Sequence, residues 1–310
     1  MLTLLLLIPI AAEHKPLLLE RFRVIDAPDP ATRAAAIATR ADEIDLVLTN
    51  GTVGFKADEI AALPRLRLLA ALGVGHENLD LAAARARGVA VCNGAGTNDD
   101  CVADHALALL LASVRALPQQ GAALRAGIWR DALPLFPHFN RRRLGIIGLG
   151  AIGQKIARRA AAFGMVIGYH NRQPRADAGE AVYFDSVARL AAWADDLVVA
   201  TPGGAATRHI VNAEVLTALG SGGHVVNVAR GSCVDTAALA AALRDGRIAG
   251  AALDVYESEP RPPAELVGLD NVILTPHVAG WSPQSIEASV MNFVANVEAL
   301  ARGEPLPTPL

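Results

Sequence analysis

The feature that most restricts the fold of this chain is a glycine pattern that directly follows an apolar segment. Residues 143–153 read Arg-Leu-Gly-Ile-Ile-Gly-Leu-Gly-Ala-Ile-Gly, and a helical pattern continues over residues 154–163. Gly148 suits a tight turn, Gly150 lets a ligand approach the backbone, and Gly153 lets the helix pack on the strand. Amides at the start of such a helix favour a diphosphate. The segment therefore predicts a dinucleotide-binding unit.

Short apolar segments alternate with helical patterns on both sides of this motif. Strands are predicted at residues 2–8, 24–25, 46–48, 68–71 and 89–92, and again at 144–147, 166–169, 197–200, 225–228, 250–254 and 272–274. Alternation of this kind indicates parallel sheets covered by helices on both faces. The predicted fold class is α/β, with two doubly wound parallel-sheet domains: a Rossmann dinucleotide-binding domain and a flavodoxin-like substrate domain.

The chain is long enough for two domains, and two helical segments are placed to connect them. A long apolar helix is predicted over residues 99–117, and a last helix after Pro283. We assign the dinucleotide-binding domain to residues 99–280 and the substrate-binding domain to residues 1–98 plus 281–310. A ligand is expected in the cleft between two such domains.

Composition argues against several other classes of protein. The chain is 52% hydrophobic and 19% charged, which indicates a globular fold, and its net charge of −3 provides no basis for binding nucleic acid or an anionic membrane. The apolar start of the chain, residues 1–10, is interrupted by Pro9 too soon for a membrane span of about 20 residues. Three cysteines without CxxC spacing favour a reducing cytoplasm. Asn98 or Asp99, with Asp100, is expected to cap the long helix, and no metal is predicted.

The turn after the second strand of the dinucleotide unit decides which cofactor is expected. NAD-selective proteins usually carry an acidic residue here that binds the adenosine ribose. This chain has Asn171 and Arg172 instead, with Arg175 close behind. A guanidinium facing a 2′-phosphate forms charge-assisted hydrogen bonds of about 1.5–3 kcal/mol each. NADP(H) is therefore predicted in preference to NAD(H), unless Arg172 is only a solvated surface charge.

Three polar groups each follow a predicted strand in the second half of the chain. Arg230 lies in Asn-Val-Ala-Arg-Gly, Glu259 in Asp-Val-Tyr-Glu-Ser-Glu-Pro, and His277 in Thr-Pro-His-Val-Ala-Gly-Trp. Reduction of a 2-keto acid needs a fixed cation for the carboxylate and carbonyl, as Arg230 provides. It also needs a proton donor near neutral pH, as His277 provides, and Glu259 beside it would raise the histidine pKa. Taken singly, the Arg-Gly pair is an ordinary turn and the histidine an ordinary loop residue.

The order Arg230, Glu259, His277 behind the glycine motif resembles the D-isomer-specific 2-hydroxyacid dehydrogenases, over nearly the whole chain. The resemblance implies an NAD(P)-dependent oxidoreductase. Such an enzyme transfers a hydride between NAD(P)H and a small 2-keto acid, such as glyoxylate or hydroxypyruvate, giving the D-2-hydroxy acid. The short segment after His277 and the basic turn at Arg172 favour the NADP-dependent glyoxylate/hydroxypyruvate reductases within this family.

The resemblance also implies further site positions. For the substrate they are the backbone amides of Val74 and Gly75 and the side chains of Arg230 and Trp281. For the cofactor they are Thr97, Gly148, Gly150, Ala151, Ile152, Gly153, Asn171, Arg172, Thr201, Pro202, Val228, Ala229, Asp254, His277 and Gly280. Ordinary alternatives stay open for three of these features: a glycine-rich turn at residues 72–75, a strand-end cap at Asp254, and packing between domains at Trp281.

The sequence alone leaves open the oligomeric state of the protein and whether it is an enzyme. A homodimer is expected from the resemblance, through a helix fragment and long surface arm at residues 118–140, where Trp129 reaches a partner subunit or packs in the core. The alternative function is a non-catalytic NAD(P)-sensing interaction protein of the same fold, although no flanking tail or recruitment segment supports it. A transferase or epimerase on this scaffold would not need Arg230, Glu259 and His277, and fold alone does not decide.

Overall fold

Every strand of the computed structural model, which describes all 310 residues, belongs to one of two parallel sheets. The strands are Thr3–Leu6, Arg23–Asp26, Leu46–Thr49, Leu68–Ala71, Ala90–Cys92, Arg143–Ile147, Val166–His170, Val182–Tyr183, Asp196–Val199, His224–Asn227, Gly250–Leu253 and Val272–Leu274 (β1–β12). The α-helices are Pro16–Leu19, Pro30–Arg40, Ala57–Ala62, Leu81–Ala86, Asp99–Val114, Leu117–Arg125, Ala151–Ala162, Val187–Trp193, Ala213–Leu219, Thr236–Arg244 and Pro283–Arg302 (α1–α11). The chain divides into a first unit, residues 1–98 and 281–310, and a second unit, residues 99–280.

The first unit is built on a five-stranded sheet of order β2-β1-β3-β4-β5. This is the doubly wound flavodoxin-like order. Alternate residues of one strand enter different cores: Leu5 packs with side chains of α2, α3 and α4, whereas Leu4 and Leu6 pack with α1 and α11. Because β1, β3 and β4 are buried on both faces, their sequences are continuous apolar segments without polar alternation.

The second unit contains a seven-stranded sheet of order β12-β11-β10-β9-β6-β7-β8. Counted from β6, this is the Rossmann order with one added strand at the edge. Ile146 and Val198 face the core formed with α5 and α7, while Ile147 and Val199 face the core formed with α8, α9 and α10. The predicted α/β class and parallel topology are confirmed in both units.

The predicted long helix is the main point at which the sequence interpretation was wrong. Instead of continuing to residue 117, α5 ends at Val114, Ala116 adopts a left-handed conformation (φ 47°), and α6 begins at Leu117. The cause is Pro118, whose ring would clash with the carbonyl four residues earlier if the helix were continuous. The short edge strand β8 was not predicted, and β1 is shorter than the apolar segment that contains it.

The predicted cap at the start of α5 was also wrong for Asp100. Its carboxylate pairs with Lys155 and Arg159 of α7, at 2.6 and 2.9 Å, and Asp104 binds Arg159 at 2.6 Å. Asp99 is the first residue of the helix and is buried, which raises its pKa. Asp100 therefore binds the dinucleotide-motif helix α7 instead of capping its own helix.

The helices differ in length and hydropathy, the two properties that a membrane span requires. No single helix is long and apolar enough to cross a membrane. The bent pair α5 and α6 reaches the required length and composition only when the two helices are taken together.

Candidate active site

The glycine turn after β6 lies at the topological switch point of the second sheet, where β6 and β9 are neighbours. Gly148 has φ +100°, and a Cβ there would lie 2.7 Å from the Ala200 carbonyl oxygen in the loop after β9. A Cβ on Gly153 would overlap the Gly148 carbonyl oxygen. Only glycine is tolerated at these two positions, since one needs a positive φ and the other a close helix–strand approach.

Gly150 differs from the other two glycines because open space, not neighbouring atoms, surrounds its missing side chain. A Cβ there would meet no atom within 4 Å, and no side chain caps the start of α7. An uncapped helix start beside open space fits a diphosphate, which would accept hydrogen bonds from the first-turn amides of Ala151 and Ile152. The residues present therefore fit a dinucleotide at this turn.

In the basic turn after β7, two of the three predicted cofactor-turn side chains form hydrogen bonds with neighbouring protein groups. Asn171 Oδ1 accepts a hydrogen bond from the Leu149 N–H at 2.7 Å, so this side chain braces the glycine turn. Arg175 is held by Asp177 through two hydrogen bonds of 2.7 and 2.6 Å. Arg172 is exposed. Of the two predicted cations, Arg172 is the one whose guanidinium is not engaged by an acidic neighbour.

Asp177 is a carboxylate of this turn that the sequence analysis missed. It lies several residues beyond the position at which an acidic residue was sought. Gln154, in the first turn of α7, donates to Asp177 Oδ2 at 3.2 Å. The hydrogen bonds with Arg175 lower the pKa of Asp177, so this carboxylate is ionised at neutral pH and compensates the charge of Arg175.

The loop after β10 carries Arg230 in a rigid backbone setting. The buried Asn227 side chain donates to the Arg230 carbonyl at 2.9 Å and accepts from the Ala229 N–H at 3.0 Å. The Arg230 guanidinium donates to the Ala229 carbonyl at 2.6 Å. A Cβ on Gly231 would overlap the backbone of Tyr256, so the loops after β10 and β11 lie in direct contact. Asn227 therefore orients Arg230, a role that the motif alone did not reveal.

Glu259 and His277 form a hydrogen-bonded pair. His277 Nδ1 lies 3.0 Å from Glu259 Oε2, and Glu259 Oε1 accepts from the Tyr256 N–H at 2.9 Å. Since the carboxylate can only accept, Nδ1 carries the proton and Nε2 is the ring nitrogen that a reactant can reach. The side chain of His277 remains 45% exposed.

The electrostatics of this pair follow from its hydrogen bond. The bond with Glu259 raises the pKa of His277, against the opposing effects of burial and of the Arg230 charge. Burial alone would raise the pKa of Glu259, but its bonds with His277 and the Tyr256 N–H bring it below the ordinary value. The pKa of His277 is therefore raised, as the sequence predicted. Arg230 lies near enough for its positive charge to lower the pKa of both Glu259 and His277.

His277 adopts a left-handed backbone conformation, with φ 56°. Such a conformation is uncommon for a residue with a side chain and persists only where its surroundings determine it. Here the His277 N–H donates to the Asp254 carbonyl at 2.8 Å. The left-handed backbone of His277 is thus held by Asp254, the residue that follows β11.

Asp254 is the anchor of the loop after β12. Its carboxylate is 1% exposed and accepts from the Thr275 hydroxyl at 2.6 Å and from the Val278 and Ala279 N–H groups at 2.9 and 2.8 Å. These bonds turn the chain around His277. The sequence left two roles open for Asp254, a cap at the end of a strand and a contact with the cofactor. These hydrogen bonds are those of a strand-end cap.

His105 of α5 is a further residue that the sequence analysis missed. Its Nε2 lies 3.1 Å from Thr275 Oγ1 and 3.6 Å from Asp254 Oδ1. Because the Thr275 hydroxyl donates its one proton to Asp254, it must accept from His105. Tyr256 adds a further constraint by donating to the Thr275 carbonyl at 2.6 Å, and burial raises its pKa. A tertiary contact of this kind leaves no local sequence signal.

The other cofactor positions that the sequence predicts in the second unit lie in loops that follow its strands. Thr201 and Pro202 follow β9, and the Pro202 carbonyl accepts from the Thr207 hydroxyl at 2.7 Å. Val228 and Ala229 are buried after β10, and the Val228 N–H donates to Val199. Gly280 is the last residue of this unit.

The predicted substrate positions of the first unit lie at the carboxyl ends of β4 and β5. The Val74 carbonyl accepts from the Asn93 side chain at 2.7 Å, and the Gly94 N–H donates to Gly73 at 2.9 Å. Thr97 binds the Gly94 carbonyl and Ser289, at 2.7 and 2.8 Å. These bonds hold together the two loops that carry Val74, Gly75 and Thr97.

Trp281 begins the returning segment of the first unit, immediately before α11. Its side chain is 66% exposed, so it contributes little to the packing of its own unit.

Comparison with known proteins agrees with this geometry. Residues 107–279 match the sequence model of the D-isomer specific 2-hydroxyacid dehydrogenase NAD-binding domain. The chain is 40% identical over 275 residues to hydroxyphenylpyruvate reductase of Plectranthus scutellarioides, covering 88% of each protein. It is 37% identical over 307 residues to glyoxylate/hydroxypyruvate reductase A of Arabidopsis thaliana, covering 99% of this chain and 98% of the relative.

A solved structure is similar over the full chain. The NADPH-dependent glyoxylate/hydroxypyruvate reductase of Sinorhizobium meliloti, in complex with NADP and malonate, superposes with a TM-score of 0.88. The two are 39% identical, and the alignment covers 100% of this chain and 96% of that one. The chain belongs to the D-isomer-specific 2-hydroxyacid dehydrogenase family and is an oxidoreductase. The comparisons support this class over the alternative of a non-catalytic sensing protein.

Proposed function

We propose that this oxidoreductase reduces small 2-keto acids, such as glyoxylate and hydroxypyruvate, to D-2-hydroxy acids and prefers NADP(H) as its cofactor. Its catalytic residues in this proposal are Arg230, Glu259 and His277. The observation that carries it is the Glu259–His277 pair at 3.0 Å, which lies within the electrostatic reach of Arg230 on the second sheet. Relatives that are named glyoxylate/hydroxypyruvate reductases support the choice of keto acid.

Each catalytic side chain has one task in this reaction. The guanidinium of Arg230 binds the substrate carboxylate and polarises the adjacent carbonyl. The proton on His277 Nε2 passes to the carbonyl oxygen as that oxygen becomes an alkoxide, while Glu259 stabilises the protonated ring through Nδ1. Bound reduced nicotinamide supplies the hydride. In the reverse direction, neutral Nε2 accepts the proton of the hydroxyl group.

Residues of both units are proposed to bind the cofactor or the substrate. We assign the cofactor to the second unit, at the turn of Gly148, Gly150 and Gly153, and we propose that the backbone amides of Val74 and Gly75 in the first unit also bind the substrate. Trp281 is proposed to contact the substrate, because it is large, apolar and exposed. Thr97, Thr201, Pro202, Val228, Ala229 and Gly280 remain proposed cofactor positions, and for Asp254 we propose an indirect role through the loop that it anchors.

The cofactor preference is proposed to depend on Arg172. It is exposed, whereas the guanidinium of Arg175 is already held by Asp177. The Sinorhizobium meliloti relative uses NADPH, which agrees with this choice. Asn171 contributes indirectly, because it braces the glycine turn through Leu149.

Assembly and compartment complete the proposal. Exposed apolar side chains gather in α6 and the segment after it, at Leu117, Leu124, Trp129 and Leu135. Such a surface is typical of a protein interface, and we propose a homodimer formed there. We also propose a cytoplasmic location, because Cys92, Cys101 and Cys233 are scattered along the chain without CxxC spacing.

The test follows the absorbance of reduced nicotinamide with purified protein, glyoxylate, hydroxypyruvate or hydroxyphenylpyruvate, and NADPH or NADH in parallel. Rapid loss of the signal with NADPH and slower loss with NADH is expected. Arg172→Ala should raise KM for NADPH about ten- to a hundredfold and leave KM for NADH nearly unchanged. The matched control is Arg175→Ala, which removes a guanidinium of the same turn and should change KM for NADPH less.

Two results would count against the proposal. Faster turnover with NADH than with NADPH would overturn the role of Arg172 and leave the enzyme class intact. Absence of turnover with all three keto acids and both cofactors would overturn the proposed substrates.

A further inference from the structure

His209 lies outside the predicted site, in the loop that follows β9, yet its backbone is as unusual as that of His277. Its φ is 51°, in the left-handed region. A histidine is held there only when contacts on several sides determine the conformation. The proposed reaction uses no atom of His209. The contacts that hold this residue therefore need their own explanation.

Two contacts connect His209 to the loops that carry the proposed catalytic residues. Its N–H donates to the Ser232 carbonyl at 2.8 Å, just beyond Arg230. Its Nε2 lies 2.8 Å from Glu257 Oε1, two residues before Glu259. One residue thus bonds the loop after β10 and the loop after β11 at the same time.

Glu257 is itself held from the opposite side. Its second carboxylate oxygen accepts from the Thr236 hydroxyl at 2.8 Å and from the Thr236 N–H at 3.3 Å, at the start of α10. Burial opposes ionisation of Glu257, but the bonds from His209 and Thr236 bring its pKa below the ordinary value. Arg208 lies 3.7 Å from Glu257, and Asp235 lies 3.9 Å from His209 Nδ1.

A short series of contacts leads from this pair to the proton donor. Glu257 follows Tyr256, whose N–H binds Glu259 Oε1 at 2.9 Å, and Glu259 Oε2 binds His277 at 3.0 Å. The same stretch of backbone packs against Gly231 so closely that a Cβ there would overlap it. Displacement of residue 257 would therefore move Glu259 away from the imidazole of His277. It would also weaken the packing against Gly231, which holds the loop that carries Arg230.

We propose that His209 and Glu257 form a clasp that positions the Glu259 loop for catalysis. Neither side chain touches substrate or cofactor in this proposal, so both are positioning residues. The inference rests on the proposed function for its kinetic consequence. Its structural consequence, a tight Glu259–His277 hydrogen bond, does not depend on which substrate is used.

The test compares three variants of the full chain with the wild type. His209→Gly removes the imidazole and keeps the left-handed backbone, which glycine adopts without strain. Glu257→Gln keeps the shape of the side chain and removes its charge. Arg189→Ala is the control, since it removes an exposed ion pair with Asp185 in the same unit. Thermal unfolding of all four proteins shows whether a change is merely one of stability.

The decisive measurement is the NMR titration of the His277 ring, assigned by its absence in His277→Gln. The groups whose charges act on this ring are Glu259, Asp254 and Arg230. In His209→Gly and Glu257→Gln the pKa of His277 should fall towards its ordinary value. With keto acid and NADPH, kcat should fall on the order of tenfold, with a smaller change in KM. Arg189→Ala should change neither quantity.

The outcomes separate the two proposals. A lower unfolding temperature with unchanged His277 titration and unchanged kcat would overturn the clasp, because the pair would then only stabilise the fold. A wild type without keto-acid turnover would overturn the proposed function. In that case the titration alone would still decide whether His209 and Glu257 hold Glu259 against His277.

Discussion

The two units share one architecture but use the ends of their strands differently. In the second unit, the loops after β10, β11 and β12 place Arg230, Glu259 and His277 together, and the last two are joined by a 3.0 Å hydrogen bond. In the first unit, the loops after β4 and β5 are joined through backbone groups, with Asn93 on the Val74 carbonyl and Gly94 on Gly73. The loops of the second unit thus contribute reactive side chains, whereas the loops of the first unit contribute backbone groups held in a fixed arrangement. Substitutions in the second unit should therefore affect the reaction, and those in the first should affect substrate binding.

The largest effect is expected for His277→Gln in the second unit. Glutamine cannot transfer the proton, so kcat/KM for keto-acid reduction should fall about 10²–10⁴-fold, with KM for NADPH little changed. Steady-state kinetics together with NADPH binding would check this. A variant that kept more than a tenth of the wild-type kcat would exclude His277 as the proton donor.

Glu259→Gln should produce the next largest effect and alter the pH profile. The hydrogen bond from Glu259 raises the pKa of His277, so the protonated ring persists to higher pH. Reduction requires that protonated form, and its rate should fall as pH rises through the raised pKa, while oxidation of the hydroxy acid should increase. In Glu259→Gln both transitions should move to lower pH, and reduction at neutral pH should slow on the order of tenfold. Unmoved profiles would show that the pair does not set the histidine pKa.

Asp254→Asn tests the anchor beneath the catalytic loop. The buried carboxylate accepts three hydrogen bonds, and an amide nitrogen in place of one oxygen would face a donor. A loss of about 1–3 kcal/mol in the free energy of unfolding is expected, with a fall in kcat that exceeds the change in KM for NADPH. Chemical denaturation and kinetics measure the two. A large rise in KM for NADPH with unchanged stability would instead show that Asp254 contacts the cofactor.

Gly94→Ala should give the smallest effect on the chemical step, because it acts in the first unit. A Cβ at this position would overlap the Leu72 carbonyl oxygen and displace the loop that carries Val74. KM for the keto acid should rise more than kcat falls, and the free energy of unfolding should decrease by about 1–3 kcal/mol. Gly73→Ala is the matched control, since a Cβ there would meet no atom within 4 Å. Equal losses of kcat in Gly94→Ala and Asp254→Asn would remove the distinction between the two units.

Several parts of the molecule could be predicted because each depends on neighbouring residues alone. The glycines of the turn after β6, the apolar strands and the parallel topology follow from local pattern and chain connectivity. The break between α5 and α6 was missed although Pro118 signals it, because the apolar periodicity continues through residue 117. The pairing of Arg175 with Asp177 was missed because an acidic residue was expected directly after β7, whereas Asp177 lies seven residues beyond the end of that strand.

What the sequence by itself determined was the parallel α/β fold with every strand except β8, and the glycine turn, and it supplied the three residues proposed for the chemistry. What only the tertiary structure decided was how those residues are held. Asn227 orients Arg230, His105 and Thr275 fix the Asp254 anchor, and distant loops meet at His209 and Glu257. Motifs record residue types at a spacing along the chain, whereas hydrogen bonds form between groups that folding brings within about 3 Å. For that reason the proposed catalytic residues could be named from the sequence, and the residues that position them could not.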